Sequence, residues 1–146
     1  MTTSADGDVP ARLYLAIGRL SRSLRRSGST GMGHGSISAL STLSGAGTLR
    51  LGDLAAKEGV AAPTMSRIVA GLVDSGYVNR EPDPADRRAW LVTATEEGER
   101  VVSSVRSTRM QELSRRLDGL PPADRELLIK SIPVLEALLV GTPEAQ

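Results

Sequence analysis

The chain has 146 residues, 40% of them apolar, and 18 basic against 17 acidic side chains give a net charge of +1. The length fits one domain with attached helices, and the balanced charge excludes a bulk polycation, so any nucleic-acid contact rests on local patches. The absence of cysteine and the single histidine, His34, exclude disulfides, thiolate redox sensing and a transition-metal site, so neither metal nor cofactor is expected.

Residues 1–8 are polar and read as a disordered N-terminus. A helix opens at Val9 or Pro10, with Leu13, Ile17, Leu20 and Leu24 stepping by four, three and four residues as a narrow apolar seam. Five arginines lie between Arg12 and Arg26 with no acid among them; they read chiefly as a solvated side. The glycine-rich stretch SGSTGMGHG then breaks the chain. A second helix is expected over residues 36–43, carrying Ile37, Leu40 and Leu43. His34 reads as exposed or as part of its cap.

Leu51, Leu54 and Ala55 recur at helical spacing over residues 51–58, and Gly59 ends that helix because glycine takes left-handed dihedrals without steric cost. A second helix starts near Ala62–Thr64, with Pro63 in its first turn, and runs to about Ser75. Met65, Ile68, Val69, Leu72 and Val73 form its apolar stripe. Its other face carries Thr64, Ser66, Arg67, Ala70 and Gly71, with no carboxylate before Asp74. Small side chains allow close backbone approach, and Arg67 can reach a phosphate or the O6/N7 edge of guanine, which suits a major groove. Residues 77–80 and 89–93 read as two short strands. The linking EPDPADRR is a solvated tip on which Arg87 and Arg88 are available to phosphate or minor groove. Asp86 is assigned to hold those arginines in pose through a charge-assisted hydrogen bond, with Asp83 as substitute. A plain helix pair with a charged hairpin would show many of the same features, so the combination carries more than either part.

Thr95 is a good N-cap, followed by Glu96 and Glu97 where the helix dipole favours negative charge. The helix continues to about Leu117 with Val101, Val102, Val105, Met110 and Leu113 on its apolar side and Arg106, Arg109, Arg115 and Arg116 solvated. A helix of some 35 Å is long for one small core and is expected to be shared between parts or subunits. DGLPP ends it. The last helix, about residues 123–139, carries Leu128, Ile132, Leu135 and Leu139, and Pro133 within it predicts a kink or break. The apolar surface of the first and last helices exceeds what one small core buries and reads as an interface.

The run GYVNREPDPADRRAWLVTATEEG after a helix-turn-helix resembles the multiple antibiotic resistance regulator (MarR) family of winged-helix transcription factors. Gly76, Val78, Arg80, Asp86, Arg87, Arg88, Thr95 and Gly98 occupy the family's motif positions; Ala94 stands where leucine is usual. The resemblance implies a mainly α fold with a small β-wing (α+β). Residues 36–94 would form the winged helix-turn-helix lobe, within a single domain over residues 9–146. Residues 9–27 and 95–140 would form the dimerisation region. It also implies double-stranded operator DNA and a second copy of the chain as partners. Thr64, Ser66, Arg67, Arg87, Arg88, Ser36 and Ser38 would be the DNA-contacting residues. It further implies a small aromatic acid or phenol as effector, lodged between the dimerisation helices and the DNA-binding lobe, and helix order offers Tyr14, Ile17, Arg19 and Ile37 as its lining. Where the family has a Thr-x-x-Gln-like start to the second helix, this chain has Gly35, Ser36 and Ser38, which leaves that start loosely specified.

No catalytic constellation accompanies these features: there is no paired histidine and carboxylate, no nucleophile elbow and no HExxH, and the glycine-rich stretch lacks the lysine of a phosphate loop. No apolar run is long enough to span a membrane, and no basic-then-apolar signal opens the chain. The expectation is a cytoplasmic, dimeric, DNA-binding regulator, most readily a repressor. Its alternative is a winged helix used as a protein-interaction module, which the balanced charge of the lobe would permit.

Overall fold

The computed structural model describes residues 8–28 and 31–140. The disorder expected for residues 1–8 lies outside these up to residue 7, as does part of the glycine-rich break. Six helices and three strands follow one another as α1 (Val9–Ser27), α2 (His34–Ala46), β1 (Leu49–Arg50), α3 (Leu51–Glu58), α4 (Ala62–Asp74), β2 (Val78–Pro82), β3 (Trp90–Ala94), α5 (Glu96–Asp118) and α6 (Pro122–Val140). The fold is mainly α with a small antiparallel sheet, as the motifs implied. The chain divides into two compact units, residues 1–109 and 110–146, and the boundary falls inside α5.

The core of the first unit gathers Leu40 and Leu43 from α2, Leu54 from α3, Met65, Val69 and Leu72 from α4, Val78 from β2, Val92 from β3 and Val102 from α5. These are the apolar positions that recur at helical or strand period, so the sequence pattern and the buried set coincide. Gly59 closes α3 in the left-handed region at φ 65°, and the Val60 amide turns back to the Ala55 carbonyl at 3.1 Å. That tight stop lets α4 start after a short turn and cross α3 closely.

The sheet has the order β1-β3-β2. Val78 pairs with Ala94 and Pro82 with Trp90 across the hairpin, while Arg50 pairs with Leu91 on the other side of β3. Pro82, which has no amide to donate, sits at the end of an outer strand, where a lost donor is tolerated.

The hairpin is fastened to α5 by the motif residues flanking it. The Thr95 amide donates to the Tyr77 carbonyl at 2.9 Å. The Thr95 hydroxyl donates to the Gly76 carbonyl at 2.7 Å and accepts the Gly98 amide at 3.1 Å, which makes Thr95 both N-cap and clasp. Gly98 allows the approach: a Cβ there would lie 2.3 Å from the Tyr77 carbonyl oxygen.

Two expectations change. α2 starts at His34 and ends at Ala46, longer at both ends than the periodicity predicted; its N-cap is Gly33, which has no side chain to cap with. The helix forms because its apolar positions bury, not because its start is well signalled. α6 runs unbroken through Pro133. The Ile129 carbonyl loses its helical partner there, and the half-exposed helix takes up that loss without breaking.

Candidate nucleic-acid interface

α4 presents its two faces differently. Met65, Val69 and Leu72 are buried, and Ile68 and Val73 pack beside them. On the remaining face Pro63, Arg67, Gly71 and Asp74 are exposed, and Thr64, Ser66 and Ala70 are half-buried. Thr64, Ser66 and Arg67 therefore lie where the sequence placed them, on a solvent face without acid until its last turn. The Ala61 cap is extended and makes no side-chain cap hydrogen bond. The first amides of α4 thus have no capping side chain and carry the positive end of the helix dipole.

The wing tip is more ordered than a solvated loop would suggest. The Asp83 amide donates to the Ala89 carbonyl and the Ala89 amide to the Asp86 carbonyl, both at 2.9 Å. Asp83 is buried to 5% exposure. Its Oδ1 accepts the Ala85 amide at 2.9 Å, and its Oδ2 meets Arg50 Nε at 2.8 Å. Asp86 accepts the Arg88 amide at 3.1 Å and its Nε at a long 3.5 Å. The positioning role assigned to Asp86 is thus present for Arg88 but weak. Asp83, named as its substitute, is the buried anchor, and its partner Arg50 was not foreseen. Arg50 belongs to β1 and reaches across β3 to the end of β2, a pairing visible only once the strand order is known.

Arg87 and Arg88 are exposed, Arg88 with 94% of its side chain accessible. Arg80 stacks over the Trp90 ring at 4.8 Å from its centroid, a cation–π contact that steadies the outer face of the hairpin. A shallow cleft of about 290 Å³ joins the wing base to the starts of α3 and α4, lined by Arg50, Asp53, Ala62, Arg88 and Trp90 among others.

Ser36 is half-buried in the first turn of α2. Ser38 is committed elsewhere: its hydroxyl donates to Glu58 at 2.7 Å, and Thr42 donates to the other oxygen of the same carboxylate. Its proton therefore ties α2 to the end of α3, which leaves the Ser38 oxygen only its acceptor capacity for any other contact.

The residues offered as effector lining do not converge. Tyr14 and Ile17 are exposed on α1 and border a groove of about 210 Å³ that ends at Arg22. Arg19 is exposed and lines neither this groove nor the larger cavity nearby. Ile37 is buried and faces that larger cavity. Helix order does not say which side of α1 turns inward. Among the described residues no three metal-ligating side chains come together, and no helix is long and apolar enough to cross a membrane.

A helix pair whose second member turns outward a face with no acid before its last turn, followed by a two-stranded wing carrying exposed arginines, defines a winged helix-turn-helix protein. The MarR family model matches residues 34–90. An HTH-type transcriptional regulator of Mycobacterium tuberculosis is 37% identical over 140 residues, covering 95% of this chain and 98% of the relative. Among solved structures, RV1404 from Mycobacterium tuberculosis superposes with a TM-score of 0.79 at 27% identity, over 99% of this chain and 100% of that one. A mutant MarR from E. coli complexed with operator DNA shares the fold at a TM-score of 0.63 and 22% identity, over 85% and 92% of the two chains. The chain belongs to the MarR family of HTH-type transcriptional regulators.

Proposed function

We propose that this chain is a homodimeric repressor, acting in the cytoplasm, that binds a pseudo-palindromic operator with one α4 in each of two successive major grooves. The observation that carries the reading is the exposed face of α4, where Thr64, Ser66 and Arg67 follow an open helix start. Arg67 reads bases, while Thr64 and Ser66 share base and phosphate contacts. Arg87 and Arg88 reach the flanking backbone or minor groove from the wing. Two-fold symmetry puts the half-sites one helical turn apart, roughly 10 base pairs. The need for a second copy is supported by α1 and α6, which have no buried residue between them in the single chain. Leu13, Ile17 and Leu20 on α1, and Leu128, Ile132 and Leu135 on α6, remain exposed. A second copy is the occupant that the family resemblance supplies for these stripes.

An aromatic acid or phenol is the effector class that the family resemblance suggests, with Tyr14 and Ile17 offering it an apolar groove. A coupling of about 1–3 kcal/mol between effector and operator would suffice for release. The deciding experiment is anisotropy of labelled DNA from upstream of the coding region, at two salt concentrations, against unrelated competitor. Competitor-resistant binding that weakens steeply with salt supports the reading. Binding no tighter than to competitor, there and in a genome-wide selection, would transfer the helix pair to a protein-interaction role.

A further inference from the structure

A cavity of about 420 Å³ lies in the first unit where the end of α1, the start of α2 and α5 meet. Its wall is Arg22, Arg25, Arg26 and Arg109 with His34 beside them, and its apolar side is Met32 and Ile37. No acid is among the described residues that line it. None of the four arginines makes an ion pair with a described residue; Arg25 only donates to the Ser21 hydroxyl, at 2.8 Å. Arg109 was expected to be solvated, yet its Nε is buried with no hydrogen-bond partner among the described residues. Gly28 explains the burial. A Cβ there would come within 3.3 Å of Arg109 Nε and 3.2 Å of Val105 Cγ1, so the chain passes directly over the guanidinium stem.

Four guanidinium groups around one recess repel each other, and a dehydrated N–H without an acceptor is unfavourable. Both conditions are relieved by a ligand that brings several negative oxygens into the recess. We propose that this cavity is a binding site for a small, multiply charged oxyanion, a polycarboxylate or a phosphate ester, with a hydrophobic portion against Met32 and Ile37. The volume lies within the usual range for small-molecule sites, and planar guanidinium forks suit paired oxygens. A single aromatic carboxylate would leave most of the arginine charge uncompensated. A duplex backbone would reach the exposed Arg22 and Arg26 but not a buried Nε in a recess. The proposal concerns binding alone and stands whether or not occupancy is relayed to α4.

Isothermal titration without DNA tests it, with citrate and pyrophosphate as probes, benzoate as the singly charged control, and constant ionic strength. The expected result is saturable 1:1 binding of citrate or pyrophosphate, with benzoate at least tenfold weaker; whichever of the two binds tighter separates the carboxylate from the phosphate source. Arg109→Gln should weaken the better probe about tenfold or more, the scale of one lost charge-assisted hydrogen bond. Arg125→Gln, an exposed change on α6, should leave it unaltered. Should Arg109→Gln fail to fold, Arg22→Gln at the cavity mouth takes its place, with circular dichroism confirming the helices. No saturable binding of either polyanion, benzoate binding as tightly as both, or equal affinities in the cavity and α6 variants would overturn the proposal.

Discussion

The lobe built from α2 to β3 and the helices α1 and α6 differ in where their apolar residues go. Both show leucines and isoleucines at helical spacing. In the lobe, Leu40, Leu54, Met65 and Val69 are at most 1% exposed, whereas no residue of α1 or α6 is buried. Periodicity therefore reports that a face is apolar but not what covers it. The apolar faces of the lobe are covered within one chain, whereas those of α1 and α6 stay open in it, the kind of surface that usually marks an interface.

The sharpest way to break this contrast is to truncate one leucine in each region. Leu54→Ala should lower the stability of the lobe by about 3 kcal/mol, within the usual range for a buried leucine, seen as a fall in denaturant midpoint. Leu135→Ala should leave that midpoint unchanged in dilute solution and weaken self-association in analytical ultracentrifugation. Equal losses of midpoint in dilute solution would mean that α6 is already buried by its own chain.

Within the lobe, the helix face and the wing are expected to divide the work. Arg67→Ala should cost about 2 kcal/mol of operator affinity, roughly 30-fold, with little change toward random DNA. Arg88→Ala should weaken both modestly and reduce the salt slope by about 1. Matching profiles for the two variants would remove the distinction between reading and positioning.

Much of this division is legible in residue order. Leu51, Leu54 and Ala55, closed by Gly59, mark α3 to the residue, and the acid-free run from Thr64 to Gly71 marks the outward face of α4. Thr95 as N-cap follows from the hydroxyl before two glutamates. What was not legible depends on elements distant in sequence. The Arg50–Asp83 pair exists because β1 and β2 flank β3, and no local spacing encodes that order. Ser38 reads as a free hydroxyl until α3 brings Glu58 alongside. Arg109 lies on the polar side of its helix pattern, and only the passage of Gly28 above it withdraws its Nε from water.

The Arg50–Asp83 pair gives a smaller test inside the wing. Asp83→Ala removes a buried carboxylate with two partners and should destabilise the wing by about 1–2 kcal/mol. Asp86→Ala, which loses only long or exposed contacts, should change it by less than about 0.5 kcal/mol. Hydrogen exchange of the Ala89 amide reads the difference, and the reverse order would restore Asp86 as the main positioning residue.

The smallest expected effect lies in the second unit. Hydrogen bonds from Arg115 and then Arg116 hold the Glu112 carboxyl down, from 4.5 to about 2. Because the folded value is depressed, this contribution is complete above about pH 4.5 and fades as pH falls toward and through 2. The carboxylate is half-buried but Arg115 is open to solvent, so salt should mute the effect. Helicity followed by circular dichroism from pH 5 to 2 should show a slightly shallower acid slope in Glu112→Gln. Identical slopes would mean that the pairing does not persist in solution.

The chain has one tryptophan, and it stands in the wing with 40% of its surface open and Arg80 against its face. Indole emission excited at the red edge, where Tyr14 and Tyr77 do not absorb, therefore reports on a single strand of the hairpin. Any event that draws Arg80 away or covers the indole is visible without a label, whereas rearrangement confined to α6, which has no aromatic residue, leaves that emission unchanged. The molecule thus carries its own probe at the place where wing and duplex are proposed to meet.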